Sequence, residues 1–426
     1  MAASVRVKEA LVITPSEPTP ARVLSLSALD SQLFLRFTVE YLLVYRAWHG
    51  LDQASTTARL KLALAEALVP YYPFAGRIRP RPDSPGLEVF QRLRETAENR
   101  FSVEKTVVPP RGRRSKRIAA AGRSAYVAPR RCSGDRRRDH HCISDGIGSA
   151  EFLNYFAELA SRKRVAGSIP KPVWDRHLLN PPPPAAKKIA RVNPASHPEF
   201  NRVPDLCDFM KLVSTGLKPT SITFDKMRLG ELKRLARCTS QAGDESSSFY
   251  TSFEVLAAHV WRSWARALEF PPNQVLKLLF SINVRNRVKP GLPEGYYGNA
   301  FVLGCAVTKD GELEEKGIGY GSGLVRRAKG RVGKEYVREV SELVSESMAN
   351  PDLVGVLIVS QWSRLGMEMV DFGMGKPVHV GSVCCDRYCL FLPASDEDDE
   401  SVKVMMAVPT FAVDSYHFLM QDSNLL

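Results

Sequence analysis

The chain has 426 residues, 44% of them apolar, and its 59 Lys and Arg against 46 Asp and Glu give a formal net charge of +13. This size and composition are ordinary for a soluble enzyme and suffice for two sizeable cores, so we expect two domains. No run approaches the roughly 18 apolar residues that a membrane span requires, and the N-terminus lacks a basic stretch leading into an apolar segment. We therefore expect a cytoplasmic protein without membrane contact. The eight cysteines are scattered and form no zinc or disulfide framework.

Most of the excess positive charge lies in one segment, residues 91–139, which holds 15 Lys and Arg against 5 Asp and Glu. A nucleic-acid-binding protein would spread its charge along a face and interleave aromatic side chains, whereas this segment has a single tyrosine, Tyr126. We therefore expect no nucleic-acid partner. The segment also lacks the alternation of a core strand. We favour an out-of-frame or misjoined stretch of coding sequence, and a genuine solvated basic insertion is the alternative.

Hydrophobic periodicity predicts the regular elements of the first half. A strand is expected at 5–12, a helix at 56–69, and a second helix that starts near residue 145 and continues to about residue 160. From about 163 to 205 the chain is rich in Pro and Lys and shows little periodicity. This composition predicts a long surface crossover between two halves.

The second half alternates predicted helices and strands. The expected elements are a buried helix at 251–268, strands near 276–284 and 300–307, a helix near 332–349, and strands near 377–392 and 402–408. Acidic residues 396–400 predict a solvated hairpin loop. The alternation in both halves indicates an α/β architecture.

A first motif spans residues 140–146, where an imidazole stands four residues before a carboxylate at the start of a predicted helix. Ser144 or Asp145 occupies the N-cap position, so His141 lies just outside the helix, where an imidazole can take up and return a proton. Two simpler interpretations stay open: Asp145 serves only as an N-cap, and His141 is a structural histidine. A metal site is disfavoured because two ligands leave it short of the three or four that zinc needs.

A second motif, residues 370–377, places Gly373 and Gly375 around Met374, a spacing that suits a tight turn. Together the two motifs resemble the HxxxD and DFGWG signatures of the plant BAHD family, acyltransferases that use a coenzyme A thioester as donor. Other segments resemble further elements of the family, namely residues 72–77, 172–181, 251–261 and 283–299. The resemblance covers nearly the whole chain except roughly 91–139.

The resemblance implies a fold of two similar chloramphenicol acetyltransferase-like domains with a solvent channel between them. On this basis we expect an N-terminal domain at 1–165 with the HxxxD motif, a crossover linker at 166–205, and a C-terminal domain at 206–426 with the DFGMG motif. The enzyme is expected to be a monomer.

The resemblance also implies a mechanism. His141 is the general base that deprotonates the acceptor, which attacks the thioester directly, so no covalent acyl-enzyme forms. Asp145 is counted with the catalytic residues but is expected to pair with an arginine of the segment 285–287, in particular Arg285. Asp371 is also counted with the catalytic residues, with a supporting role in its turn.

Further positions are assigned through the same resemblance. Thr251, Ser252 and Asn299 are assigned to coenzyme A, while Gly373, Met374 and Gly375 are assigned a supporting role. Met374 stands where the family usually has Trp, so a flexible thioether replaces an indole and is expected to accommodate a different acyl group. We assign no metal and no permanently bound cofactor, with acyl-coenzyme A as a co-substrate. Two other histidines, His140 and His379, are given no catalytic role.

The expected substrates follow from the branch of the family that the sequence resembles, which includes taxane benzoyl and acetyl transferases and grass hydroxycinnamoyl transferases. An aromatic donor, benzoyl- or hydroxycinnamoyl-coenzyme A, is the first expectation, and acetyl- or malonyl-coenzyme A is the second. The acceptor is expected to be an alcohol or amine of a plant specialised metabolite. The alternative is a catalytically defective family member, or a misjoined gene product, that only binds acyl-coenzyme A.

Overall fold

The computed structural model describes residues 13–46, 52–90, 105–106, 124–125, 141–162, 170–181, 196–214, 216–239, 249–382, 385–386, 388–394 and 401–421. The predicted strand at 5–12, His140, the loop at 396–400 and all but four residues of the basic segment lie outside these ranges.

The N-terminal half contains a small antiparallel sheet and two helices. Its elements are β1 (Val23–Ser25), β2 (Tyr41–Val44), α1 (Gln53–Ala67), β3 (Arg77–Pro80), β4 (Leu87–Phe90), β5 (Lys105–Thr106), β6 (Ser124–Ala125) and α2 (Gly146–Ser161). Strand β4 lies between β1 and β3, and α1 packs against α2. Helix α1 begins three residues before its predicted start, because the Asp52 side chain caps it by accepting a hydrogen bond from the Ser55 N–H at 2.8 Å.

The C-terminal half supplies the larger sheet. Its elements are α3 (Phe209–Ser214), β7 (Leu217–Phe224), α4 (Lys226–Cys238), α5 (Ser252–Leu268), β8 (Val275–Asn283), β9 (Phe301–Lys309), α6 (Asp310–Glu315), α7 (Gly317–Arg331), α8 (Lys334–Ser347), β10 (Val356–Gln361), β11 (His379–Ser382), β12 (Cys389–Pro393), β13 (Val402–Pro409) and α9 (Val413–Gln421). The helices predicted at 251–268 and 332–349 are confirmed within two residues at each end. The single stretch predicted at 377–392 is two separate strands, β11 and β12.

The large sheet has six strands in the order β7, β13, β12, β10, β8, β9. The β10 strand runs parallel to both of its neighbours, β8 and β12, whereas the remaining pairs are antiparallel. Helix α5 is buried almost throughout and carries the fully buried Trp261 in the core that packs on this sheet. Its N-terminus is fixed by a capping box between Thr251 and Glu254. The architecture is therefore mixed α/β.

The two halves are joined by strand pairing and by a shared core. Strand β11 pairs antiparallel with β2, with Val380 opposite Leu43. The core of the N-terminal half also contains Trp362, Phe372 and Leu390 from the end of the chain. The boundaries near 165 and 205 stay predictions, but residues from the last part of the sequence complete the first core. Of the helices in the described part of the chain, none combines the length and apolarity needed to cross a membrane.

Candidate active site

His141 lies immediately before α2, on a segment held by burial and by backbone pairing. Its backbone N–H donates to the Phe37 carbonyl at 3.1 Å, and the next two side chains, Cys142 and Ile143, are fully buried. The imidazole is half-buried and lies against the rings of Phe37 and Phe301, with centroids 5.3 and 6.1 Å away. The ring therefore has a defined position at the end of a buried segment.

Asp145 caps α2 and forms an ion pair at the same time. It is 4% exposed, and its Oδ1 accepts from the Gly148 N–H at 2.9 Å. Arg285 reaches both carboxylate oxygens, with Nη1 to Oδ2 at 2.7 Å and Nη2 to Oδ1 at 2.9 Å. The Ala300 N–H adds a hydrogen bond to Oδ2 at 3.0 Å. The ion pair expected from the sequence is present, and the occupation of both carboxylate oxygens favours a structural role for Asp145.

The same arginine fixes the loop that faces His141. Nη2 of Arg285 also donates to the carbonyls of Tyr296 and Gly298, each at 3.1 Å. Gly148 on α2 lies so close to the Tyr297 carbonyl that a Cβ there would overlap it. The loop and the start of α2 are therefore locked together around the carboxylate of Asp145.

Asn299, which was assigned to coenzyme A from the family resemblance, contacts His141 directly. It is 0% exposed, and its Nδ2 donates both to the His141 carbonyl at 2.8 Å and to Asp30 Oδ1 at 2.9 Å. Both partners can only accept, so the orientation of the amide is fixed. Its Oδ1 lies 3.2 Å from His141 Nδ1 and therefore accepts a hydrogen bond from the N–H at that position. The neutral ring therefore carries its proton on Nδ1 and leaves Nε2 as the proton acceptor.

Asp30, which the sequence analysis did not identify, holds Asn299 in place. Its carboxylate is 0% exposed. Oδ1 accepts from both nitrogens of Asn299 and from Arg176 Nη1, each at 2.9 Å. Oδ2 accepts from the backbone and hydroxyl of Ser27 at 3.0 and 2.7 Å.

Arg176 balances the buried charge of Asp30. Its guanidinium lies over the Trp174 ring at 4.2 Å and donates from Nη2 to the Ile143 carbonyl at 2.7 Å. Arg176 falls within the segment 172–181 that carried part of the family resemblance, but nothing in the sequence connects it to Asp30. The pair was therefore missed.

Burial is the main influence on the His141 imidazole. It lowers the pKa of His141 below the ordinary 6.5, while the hydrogen bond from Nδ1 and the carboxylates of Asp145 and Asp30 act in the opposite direction without reversing the shift. The ring is therefore neutral at neutral pH. A neutral imidazole with a fixed Nδ1–H is the form that a general base requires.

His141 lines a cavity of about 290 Å³, here called the catalytic cavity. Most of its described lining is aromatic or aliphatic, with five aromatic residues: Phe34, Phe37, Phe301, Trp362 and Tyr388. Two acidic residues, Glu40 and Asp386, also line it.

A larger cavity of about 630 Å³, here called the basic cavity, adjoins the catalytic cavity at Ser281, which lines both. Its described lining carries four cationic side chains, those of Lys226, Lys233, Lys329 and Arg364. Thr251 and Ser252 line it at the N-terminus of α5, whereas Asn299 does not. Two of the three residues assigned to coenzyme A therefore share one cavity.

Asp371 organises a turn rather than the reaction centre. Its Oδ1 accepts from the backbone N–H groups of Gly373, Met374 and Gly375 at 2.8, 2.9 and 2.8 Å. Both glycines have φ near +80°, at +83° and +81°, which a side chain would strain. Within the described lining, neither the catalytic nor the basic cavity includes any of these four residues. These contacts favour a supporting role for Asp371 in its turn, and its catalytic assignment stays a prediction.

This turn packs the C-terminal half of the chain against the core of the N-terminal half. The buried Phe372 ring packs on Phe156 with centroids 4.8 Å apart, and its carbonyl accepts from Arg59 on α1 at 3.1 Å. Met374 is partly buried against the same core. The position of Met374 does not support the expected influence on the acyl group. His379 on β11 is half-buried, and burial lowers its pKa to about 4.

Comparison with known proteins shows which family the chain belongs to. The sequence profile of the Transferase family matches residues 3–90 and 139–418. Omega-hydroxypalmitate O-feruloyl transferase of Arabidopsis thaliana is 30% identical over 436 residues, covering 97% of this chain and 92% of the relative. The chain belongs to the BAHD family of acyltransferases. As a member of that family it is an acyl-coenzyme A-dependent O-acyltransferase, and its basic segment falls between the two matched ranges.

Other relatives of this BAHD enzyme agree with that assignment. Benzyl alcohol O-benzoyltransferase of Petunia hybrida is 28% identical, covering 97% of this chain and 92% of the relative. Taxadien-5-alpha-ol O-acetyltransferase of Taxus cuspidata is also 28% identical, covering 98% and 96%.

Solved structures support the fold. F. graminearum TRI101 complexed with coenzyme A and T-2 mycotoxin has a TM-score of 0.71 at 14% identity, covering 95% of this chain and 98% of that one. Vinorine synthase has a TM-score of 0.63 at 19% identity, covering 97% and 96%. The predicted arrangement of two chloramphenicol acetyltransferase-like domains is the fold of these proteins. Among the residues that the structure describes, no group of three or more His, Cys, Asp or Glu is placed to hold a metal ion.

Asp145→Asn tests the structural role of the ion pair. The substitution leaves the Arg285 guanidinium, which is mostly buried, without its counter-charge, and breaking such a pair costs about 3 to 5 kcal/mol. We expect the free energy of unfolding, measured by denaturant titration, to fall by that amount. Glu335→Gln, which breaks an exposed pair with Arg338, should cost under about 1 kcal/mol. An Asp145→Asn protein with unchanged stability and abolished turnover would show a direct catalytic role instead.

Asn299→Ala tests whether Asn299 acts through His141. Removing the acceptor of the Nδ1 proton frees the ring to rotate and to change tautomer, so kcat should fall by roughly one to three orders of magnitude. KM for the acyl donor should stay nearly constant. Ser27→Ala, which removes another hydrogen bond to Asp30 without touching the histidine, is the matched control and should retain kcat. A similar loss of kcat in both variants would reduce Asn299 to general support of the fold.

Proposed function

We propose that this enzyme transfers an aromatic acyl group, benzoyl or hydroxycinnamoyl, from coenzyme A to a hydroxyl group of a plant metabolite, with His141 as general base. The observation that carries the proposal is the junction at Ser281. There a basic cavity suited to the donor meets a largely apolar cavity lined by an imidazole whose Nδ1 is hydrogen-bonded to Asn299.

The basic cavity is the proposed donor site because its charge complements the phosphate groups of coenzyme A. Its cationic side chains come from α4, α7 and the segment after β10. Ser252 begins the 17-residue helix α5, whose N-terminal N–H groups and dipole favour an anion. The hydroxyl of Thr251 is already used in the capping box, so we assign its contribution to the shape of the site.

The proposed reaction needs only groups that this arrangement supplies. The acceptor oxygen attacks the thioester carbonyl carbon while its proton passes to His141 Nε2. Collapse of the tetrahedral intermediate breaks the carbon–sulfur bond, and the proton moves from the imidazolium to the departing sulfur. Holding both substrates at one junction would supply much of the rate enhancement by proximity.

Two observations favour an aromatic donor. The catalytic cavity is lined by several aromatic rings, which can stack on a planar acyl group. Two of the relatives are named as feruloyl and benzoyl transferases. Acetyl-coenzyme A is the second candidate, because another relative is named as an acetyltransferase. All three names describe transfer to oxygen, which favours a hydroxyl acceptor over an amine.

A protein that only binds acyl-coenzyme A is the alternative function. It is favoured by the basic segment, since residues 91–138 lie outside the ranges matched by the family profile. In either case we propose a monomer.

His141→Ala separates catalysis from binding. Loss of the base should lower kcat by roughly two to four orders of magnitude, while calorimetric titration with coenzyme A should give nearly unchanged affinity. In the wild type, the rate should fall as pH drops through the pKa of His141, because the protonated ring cannot act as a base. Since burial lowers that pKa, the midpoint of the acid limb should lie below pH 6.5.

A charge reversal in the basic cavity supplies the complementary test. Lys233→Glu should raise KM for the donor by about tenfold, the effect of losing one charged contact, and leave kcat similar. Arg234→Glu, the same reversal at the next position of α4 and outside the described cavity linings, should change neither. If wild-type protein binds coenzyme A but forms no ester with any donor, the binding-only alternative is correct.

A further inference from the structure

A third cavity, of about 540 Å³, lies beside the catalytic cavity and is here called the aliphatic chamber. Strands β10 and β13 and the segment before β10 contribute about half of its described lining. Just over half of the lining residues are aliphatic, Pro or Met, among them Leu217, Leu353, Val356, Leu357, Met406 and Pro409. Trp264 on the buried helix α5 also contributes to its wall. None of the roles assigned above uses this space.

The chamber continues directly from the catalytic cavity. Four described residues line both spaces, namely Phe34, Ile358, Asp386 and Tyr388. The described linings of the chamber and of the basic cavity share no residue. The three spaces therefore follow one another in the order basic cavity, catalytic cavity, aliphatic chamber, with His141 in the middle one.

We propose that the aliphatic chamber binds the hydrocarbon chain of a long-chain primary alcohol, whose hydroxyl group then reaches His141. This inference rests on the proposed function and specifies its acceptor. The donor approaches through the basic cavity, and its thioester must stay near Ser281. The chamber, on the other side of the catalytic cavity, is therefore available to the acceptor.

The chemistry of the walls selects the kind of chain and its end group. An alkyl chain gains from each methylene that it buries against aliphatic side chains, which is a contribution that a short alcohol cannot make. Asp386 at the junction and Glu40 in the catalytic cavity place carboxylates near the path to His141. Their negative charge repels the carboxylate of a fatty acid. Their oxygens can accept a hydrogen bond from the hydroxyl group of an alcohol.

The test compares butanol with hexadecanol as acceptors, using the donor that the wild-type enzyme uses best. Leu353→Asp puts a charge into the chamber wall at a side chain that is 52% exposed, so the fold should tolerate it. Leu206→Asp is the matched control, because Leu206 is also 52% exposed and is absent from the described lining of all three cavities. Ala407→Trp is a second variant that fills the chamber without adding a charge.

The wild-type enzyme should prefer hexadecanol over butanol by roughly tenfold or more in kcat/KM. Leu353→Asp and Ala407→Trp should abolish that preference by lowering kcat/KM for hexadecanol, while Leu206→Asp should keep both the preference and the rate with butanol. Equal kcat/KM for the two alcohols in the wild type would overturn the proposal. So would retention of the preference in both chamber variants.

A binding measurement separates this inference from the proposed function. A fluorescent long-chain alcohol, added without donor, should bind the wild type and Leu206→Asp and should bind Leu353→Asp at least several-fold more weakly. If it binds in this pattern while no alcohol is acylated, the chamber is supported and the proposed transferase activity fails. If butanol is acylated but the probe does not bind, the activity stands and the chamber proposal fails.

Discussion

The burial of one carboxylate, that of Asp30, underlies the geometry of the reaction centre. Removing a charge from water is costly unless it is paired and fully hydrogen-bonded. Asp30 meets that requirement with Arg176 and with donors from Ser27 and Asn299, three positions that are widely separated in the sequence. Because all of these donors bind the Asp30 carboxylate, the N-terminal segment, the crossover region and the loop before β9 must lie next to one another. Once Asn299 is bound there, its remaining oxygen can only face the ring of His141.

A second buried carboxylate, that of Asp145 in the cap of α2, is satisfied in the same way. Asp145 joins the start of α2 to Arg285 and, through that arginine, to the loop at 296–299. The two networks hold His141 from opposite ends of its segment, one through the side chain of Asn299 and one through the cap of the following helix. The histidine is thus positioned by contacts from both halves of the chain, and the basic cavity adjoins the cavity that the histidine lines.

Patterns within a few residues of sequence predicted the helices whose formation depends on local interactions. Helix α2, its cap and the histidine before it follow from spacing within a few residues, and the capped helix α5 was predicted for the same reason. Helix α7 was missed because its first part is rich in glycine, which disfavours helix. Its glycines allow close packing instead: a Cβ at Gly319 would lie 2.5 Å from the Ala236 carbonyl of α4.

Long-range contacts of the site could not be predicted in this way. Asp30 and Arg176 are 146 positions apart and carry no local signal, and the role of Asn299 depends on a hydrogen-bond direction that no spacing reveals. The pair of Asp145 with Arg285 was expected only because the family resemblance pointed to it.

Asn299 holds His141 as a neutral imidazole with its proton on Nδ1. Nitrogen NMR of histidine-labelled protein tests this arrangement most directly, with the His141 signals identified by their loss in His141→Gln and followed through a pH titration. We expect a neutral ring with the proton on Nδ1 and a pKa below 6.5. A ring protonated on Nε2 at neutral pH, or a pKa above 6.5, would contradict it.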